Sequence, residues 1–226
     1  MIRAVVFDLW NTLVRSQAGG PFRRIRTLLD PAQAAQLDGF MWDSMRKPYP
    51  DCGAFLGAWR GTLGLAPAQE DAIRRIFAEA AQDADLFPGA LAALDRTGVL
   101  ARTAMLSNTQ CFDMELLEGL GLARRLRTRV LSAEIGALKP EPAAFTAVEK
   151  RLGLFPGDLA MVGDSWEDDI RGALEAGWTA IWVNRDRQPR RELDPEAEFV
   201  EVPDLDAVPE VIRRLQEGAR CSTCLG

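Results

Sequence analysis

Near the start of the chain a carboxylate directly follows an apolar, β-branched run: Ala4-Val5-Val6-Phe7 ends in Asp8. Two later runs also end in polar groups. Arg102-Thr103-Ala104-Met105-Leu106 runs into Ser107-Asn108-Thr109, and Leu159-Ala160-Met161-Val162 into Gly163-Asp164-Ser165, with Asp168 and Asp169 close behind. Alone, Asp8 reads as a turn or helix-cap aspartate, a common use of the residue. Brought together with Asp164 and with Asp168 or Asp169, it reads as chemistry. Clustered carboxylates repel and raise one another's pKa unless a cation sits among them. Oxygen donors without imidazole or thiolate select a hard cation, and few carboxylates with room for water and phosphate suit Mg²⁺. Lys139, in the loop Gly136-Ala137-Leu138-Lys139-Pro140-Glu141-Pro142, could reach the same place and grip an anion by its charge. The chain has no histidine. That removes His-based general bases, Ser-His-Asp and Cys-His nucleophile systems, and zinc sites that need imidazole.

These residues are far apart in sequence, so the elements between them must gather them. From Leu86 onward helices and strands alternate. Strands are expected at 102–106, 128–131, 159–162, 180–183 and 198–202, and helices at 89–96, 114–126, 142–152, 169–176 and 208–217. Such βα alternation implies an α/β, Rossmann-like parallel sheet with helices on both faces, which collects its strand ends, and so Asp8, Ser107 and Asp164, along one edge. Residues 15–84 break the alternation. They read as helices separated by Gly19-Gly20-Pro21, Lys47-Pro48-Tyr49-Pro50-Asp51 and Leu65-Ala66-Pro67, with apolar residues at helical spacing over 22–29 and 69–81. The expected division is a core of 1–14 and 85–226 with a helical insert of 15–84, whose interior Phe55, Trp42 and Trp59 are expected to fill.

Four stretches in order resemble the motifs of the haloacid dehalogenase-type hydrolases, whose members are mostly Mg²⁺-dependent phosphatases. They are 5–13 (Val-Val-Phe-Asp-Leu-Trp-Asn-Thr-Leu), 104–108 (Ala-Met-Leu-Ser-Asn), 132–142 and 162–177. The resemblance implies that the insert is the family's α-helical cap. It further implies that Asp8 is the nucleophile forming an aspartyl-phosphate, that Ser107, Asn108 and Lys139 contact the phosphoryl group, and that Asp164 and Asp169 anchor Mg²⁺, with Asp168 as the alternative. Asp8 and the backbone carbonyl of Trp10 would complete the metal's ligands. The implied substrate is a small phosphorylated molecule.

Trp10 departs from the phosphatase pattern, which has a second aspartate there as general acid and base. An indole N–H transfers no proton near neutral pH, and loss of general acid–base help removes about 10²–10⁴-fold in rate. Three readings follow. The chain is a phosphohydrolase with a good leaving group or another proton carrier, such as Asn11-bound water, Asp43 or Asp51. It is a non-catalytic relative that binds Mg²⁺ and a phosphorylated ligand or a protein partner. Or it is a 2-haloacid dehalogenase-like enzyme, since those relatives also carry an aromatic residue at this position.

The 226 residues, 47% hydrophobic and 27% charged, suffice for a globular core, and the formal net charge of −6 argues against nucleic acid or an anionic membrane as partner. The chain enters a strand at once, with no signal-peptide pattern, so a cytoplasmic protein is expected. Cys221 and Cys224 read as a reduced, flexible tail; Arg23, Arg24, Arg46, Lys47 and Arg60 as solvated helix faces; and 185–191 as an exposed loop. The sequence carries no signal for an oligomeric state.

Overall fold

The computed structural model describes the chain except for residues 18, 111–113, 189–198 and 224–226 and the side chains of 81 and 219–223. Cys224, the Cys221 side chain, Glu198 and residues 189–191 therefore lie outside the described residues. In chain order the elements are β1 (Ala4–Phe7), β2 (Val14–Ser16), α1 (Pro21–Arg26), α2 (Pro31–Ser44), α3 (Cys52–Leu63), α4 (Pro67–Gln82), β3 (Ala84–Leu86), α5 (Ala90–Leu100) and β4 (Arg102–Ser107). They continue with α6 (Leu116–Gly119), β5 (Thr128–Leu131), α7 (Ser132–Ile135), α8 (Pro142–Leu152), β6 (Leu159–Gly163), a π-helical turn (Trp166–Arg171), α9 (Gly172–Glu175), β7 (Thr179–Val183), β8 (Phe199–Val202) and α10 (Val208–Thr223).

Six strands form one sheet in the order β5-β4-β1-β6-β7-β8, every neighbouring pair parallel. This is the expected α/β sheet, with β1 near its centre and all four β1 residues buried. The strand period of two sends Val5 and Phe7 into one core with Leu94, Val208 and Ile212, and Ala4 and Val6 into another with Phe145, Val148 and Ala173. Helices therefore cover both faces, as a parallel sheet requires.

Between β2 and β3 the helices α1 to α4 build a third apolar cluster of their own, around Ile25, Leu37, Phe55, Leu56, Trp59 and Ile73. Each start has a local cause. Asp30 caps α2 by accepting from the Gln33 N–H, Asp51 caps α3 by accepting from Ala54, and Pro31 and Pro67 open α2 and α4. Phe55 and Trp59 are buried as expected, but Trp42 is not: it lies on α2 with 40% of its surface exposed. The helical period carries Trp42 off the face that Leu37 and Phe40 present to Trp59.

Three other expectations are corrected. Val14–Ser16 pairs antiparallel with Ala84–Leu86, a two-stranded ribbon at the root of the helical segment that three-residue runs did not reveal. The helix expected over 114–126 shrinks to α6, because Gly121 turns the chain into the left-handed region at φ 70 and Leu117, Leu122 and Leu126 are buried from successive turns instead. The helix expected from Asp169 starts at Trp166 and begins as π-helix, with the Ile170 N–H donating to the Ser165 carbonyl five residues back.

Gly172 links that turn to α9 where α9 meets α8. A Cβ there would stand 2.7 Å from Phe145 Cζ and 3.0 Å from Pro140 Cβ. Phe145 is itself packed edge-on against Trp178 at 5.2 Å and cannot retreat. Overpacking costs about 1–3 kcal/mol, against roughly 1 kcal/mol gained by a helical alanine over glycine. Gly172→Ala should therefore lower stability by up to about 2 kcal/mol in urea denaturation; a variant as stable as wild type would show that the α8–α9 contact yields.

Candidate active site

The site lies at the carboxyl ends of β1, β4 and β6. Asp8 leaves β1 in register, its N–H donating to the Val162 carbonyl at 2.9 Å. The chain then folds into a tight loop. The Leu13 and Val14 N–H groups both donate to the Leu9 carbonyl at 2.9 Å, and Asn11 takes the left-handed conformation at φ 62, which asparagine tolerates better than most residues. Leu9 and Leu13 bury themselves in the core, leaving Asp8, Trp10 and Thr12 around the site.

Lys139 is the centre of the arrangement. Its Nζ donates to Asp8 Oδ1 at 2.6 Å and to Asp169 Oδ1 at 2.5 Å, and its side chain is only 2% exposed. Burial alone would favour the neutral amine, but the carboxylates of Asp169 and Asp8 outweigh it and hold Lys139 protonated above the ordinary lysine range. Asn108 aims the lysine. Its Nδ2 donates to the Lys139 carbonyl at 3.0 Å and its Oδ1 accepts from the Lys139 N–H at 2.8 Å. The Asn108 side chain is thus occupied in positioning Lys139, while the residue still lines the cleft.

Asp8, Asp164 and Asp169 each offer a carboxylate oxygen, all within 4.8 Å of one another. Burial first, then the charge of Asp8, pushes Asp164 up to about 6, while hydrogen bonding to Thr12 opposes the shift. Burial also pushes Asp169 up to about 8 against the opposing charge of Lys139. Asp168 is raised as well, chiefly by burial, but among the described residues it falls outside this three-carboxylate group. The π-helical turn explains the choice between neighbours: Asp169 Oδ2 folds back to accept from the Ser165 N–H at 3.0 Å, while Asp168 donates its own N–H to Ser165 Oγ. Gly163 makes room, since a Cβ there would overlap Asp169 Oδ2 at 2.1 Å. The Ser107 hydroxyl is buried beside these groups and has no hydrogen-bond partner among the described residues, a condition that asks for a ligand in a native structure. An all-oxygen group of three close carboxylates fits a hard divalent cation.

Sequence reading missed several supporting residues. Thr12 Oγ1 donates to Asp164 Oδ1 at 2.9 Å and accepts from the Asp164 N–H at 3.1 Å. The Trp182 indole donates to the Asp164 carbonyl at 3.0 Å. Arg185, expected in an exposed loop, stacks 3.8 Å over Phe87 and donates to the Asn11 and Thr12 carbonyls at 2.7 and 2.8 Å, clamping the left-handed turn. Only Thr12 had a sequence signal, its place in the first motif. Of the cap residues named as proton carriers, Asp51 caps α3, and neither it nor Asp43 lines the cleft above the site. The Trp10 indole donates to Thr109 Oγ1 at 3.4 Å.

Removing the lysine tests this electrostatic arrangement. Breaking a buried ion pair from one side costs about 3–5 kcal/mol. Metal-free Lys139→Met should lose about that much at pH 8 in urea denaturation, and less at pH 5, where protonation of Asp164 and Asp169 relieves the repulsion. A small loss, or one independent of pH, would show that Lys139 does not hold these acids together.

Comparison with known proteins gives the family. Residues 2–177 match the family model of haloacid dehalogenase-like hydrolases. The chain is 35% identical over 157 residues to phosphoserine phosphatase of Thermus thermophilus, covering 63% of this chain and 61% of that protein, and so less than two thirds of that relative's length. It is 32% identical over 190 residues to phosphoglycolate phosphatase of Rhodospirillum rubrum, covering 78% of this chain and 77% of that one. The fold is shared with the crystal structure of 2-haloacid dehalogenase from Pseudomonas syringae, at a TM-score of 0.68 and 21% identity over 95% of this chain and 100% of that one. With the motif residues at neighbouring strand ends and a family match over most of its length, the chain belongs to the haloacid dehalogenase-like hydrolases.

Proposed function

We propose that the protein is a Mg²⁺-dependent phosphomonoester hydrolase with Asp8 as nucleophile, residues 1–14 and 85–226 forming the catalytic core and 15–84 the cap. The observation that carries this reading is the buried Lys139 ammonium shared by Asp8 and Asp169, with Asp164 completing the carboxylate group. Phosphatase relatives named for phosphoserine and phosphoglycolate support a small phosphorylated substrate. Asp8, Asp164, Asp169 and the Trp10 carbonyl would hold the cation, which when bound offsets the repulsion between Asp8 and an anionic substrate.

A carboxylate oxygen of Asp8 attacks phosphorus as the bond to the ester oxygen breaks, leaving an aspartyl-phosphate. Water then attacks phosphorus, releasing inorganic phosphate and restoring the carboxylate. Ser107 Oγ donates its unused hydrogen bond to a phosphoryl oxygen. Lys139 fixes the direction of Asp8 and balances charge as the phosphoryl group transfers. Position 10 contributes no proton, so the departing alkoxide takes one from solvent and turnover depends steeply on leaving-group acidity.

The same Trp10 favours a second reading, a relative that binds Mg²⁺ and a phosphorylated ligand with little turnover. It also suits a dehalogenase, against which stand the three clustered carboxylates, which repel a 2-haloacid's own carboxylate. Turnover of 4-nitrophenyl phosphate with Mg²⁺ that disappears in Asp8→Asn supports the hydrolase; metal-free halide release from 2-chloropropionate overturns it. Trp10→Asp should raise turnover of alkyl phosphates, whose alcohols leave poorly, by tenfold or more within the roughly 10²–10⁴ range of acid–base help. An unchanged rate would place the limiting step elsewhere.

The raised carboxyl groups tie the cation to stability. A carboxyl whose native pKa lies above its unfolded value near 4 favours the folded state while protonated. That advantage is complete below about pH 4 and is lost as pH rises through about 6 for Asp164 and about 8 for Asp169. Metal-free protein should therefore lose thermal stability from pH 5 to pH 8. Millimolar Mg²⁺ should restore it, raising Tm by roughly 5 °C more at pH 8 than at pH 5 and by much less in Asp164→Asn. An equal Mg²⁺ effect at both pH values would count against cation binding by these acids.

A further inference from the structure

The cleft above the carboxylates encloses about 700 Å³, and its two sides differ in chemistry. The floor carries the charge: Asp8, Asp164, Glu167, Asp168 and Asp169 with Lys139. The wall contributed by residues 19–80 is apolar, with Phe22, Met41, Trp42, Met45 and Phe77 facing the cleft and no charged residue among those that line it. This is not for want of charge in the segment. Arg24 pairs with Glu79, Arg26 with Asp38, Arg46 with Glu141, and Arg60 and Arg74 with Glu70, all away from the cleft. Among the described residues, Lys139 is the cleft's one cation, and Asp8 and Asp169 already hold it. Trp42 departs from the packing of its own helical cluster, keeping 40% of its surface exposed while lining the cleft. On the core side Trp10 and Trp166 add two further indoles to the lining.

Resting on the hydrolase reading above, we infer that the organic part of the substrate is apolar and uncharged, an aryl or alkyl group packed against Trp42 and its neighbours. A second anionic group on the substrate would leave water to face an excess of acids, with no free cation among the described lining residues to receive it, and an unpaired buried charge is costly. An apolar group gains from the same wall, about fourfold in affinity for each methylene fully buried. On this wall, indole and phenyl faces and flexible methionines suit a flat or linear hydrocarbon better than a polyol, whose hydroxyls laid against it would lose their water without partners there.

Alkylphosphonates test this without turnover, because their carbon–phosphorus bond is not hydrolysed. Binding to the full chain with Mg²⁺ is measured by isothermal titration calorimetry for methyl-, butyl- and hexylphosphonate. Two probes of butyl length but charged at the end, 3-aminopropylphosphonate and 3-phosphonopropionate, complete the set. Affinity should rise twofold to fourfold per methylene from methyl to hexyl, as partial to full burial predicts. Butylphosphonate should exceed both charged analogues by tenfold or more. In Trp42→Ala the gain per methylene should shrink, and in Trp42→Arg the carboxylate-ended probe should overtake the butyl one. Because Trp42 is half-exposed, both variants should fold, which circular dichroism checks. Equal or tighter binding of either charged probe by wild type, or a flat chain-length series, overturns the inference. The predicted binding order together with no hydrolysis of any monoester would leave it standing and remove the hydrolase reading; efficient hydrolysis with the reverse binding order would do the opposite.

Discussion

A single buried ammonium shared by two buried carboxylates constrains the architecture around it. Moving such charges out of water costs several kcal/mol per ion even after relaxation, and the pairing recovers this only if each partner is held in place. The surroundings do so at every point. Asn108 grips the Lys139 backbone from both sides, Asp8 is fixed by the β1–β6 register, and Asp169 is folded back onto the Ser165 N–H over a glycine that leaves it room. The three residues come from three separate regions of the chain, so the charge cluster exists only once the sheet has closed.

The cluster is also unbalanced. Three carboxylates face one lysine, and burial first, with the charge of Asp8 after it, raises Asp164 and Asp169. A divalent cation is the simplest completion of such a set, and an anionic phosphoryl group is tolerable there only beside one. Thr12 and Trp182 hold Asp164 without adding charge, while Arg185 clamps the Asn11 and Thr12 carbonyls and its charge also interacts with Asp164. The division between a charged floor and an apolar wall continues this logic: the cleft's charge is confined to the strand ends and the turns after them, and the helical segment pairs its arginines with its own acids and, through Arg46, with Glu141 of the core.

Trp10 sits where these two regions meet. Its indole donates weakly to Thr109 and lines the cleft, so the position offers apolar surface where a proton carrier would otherwise stand. Under the proposed function, a leaving group that needs no proton and an organic group that prefers aromatic surface are compatible demands, and Trp10 would serve both.

The sequence by itself determined the α/β architecture, and it marked Asp8, Ser107, Lys139, Asp164 and Asp169 as candidates, which the fold brings to one cleft. Strand and helix periods, and polar residues just past apolar runs, are local properties that survive without coordinates. What only the tertiary structure decided was how these side chains are used. That Asn108 positions a lysine, that Asp169 rather than Asp168 joins the cluster, that Arg185 reaches back to Asn11, and that Trp42 faces a cleft instead of its helical core depend on contacts between segments far apart in the chain. The two-stranded ribbon and the shortened α6 escaped for a related reason: three or four residues carry too little periodicity to announce an element, and their conformation is set by the pairing and burial that the rest of the fold imposes.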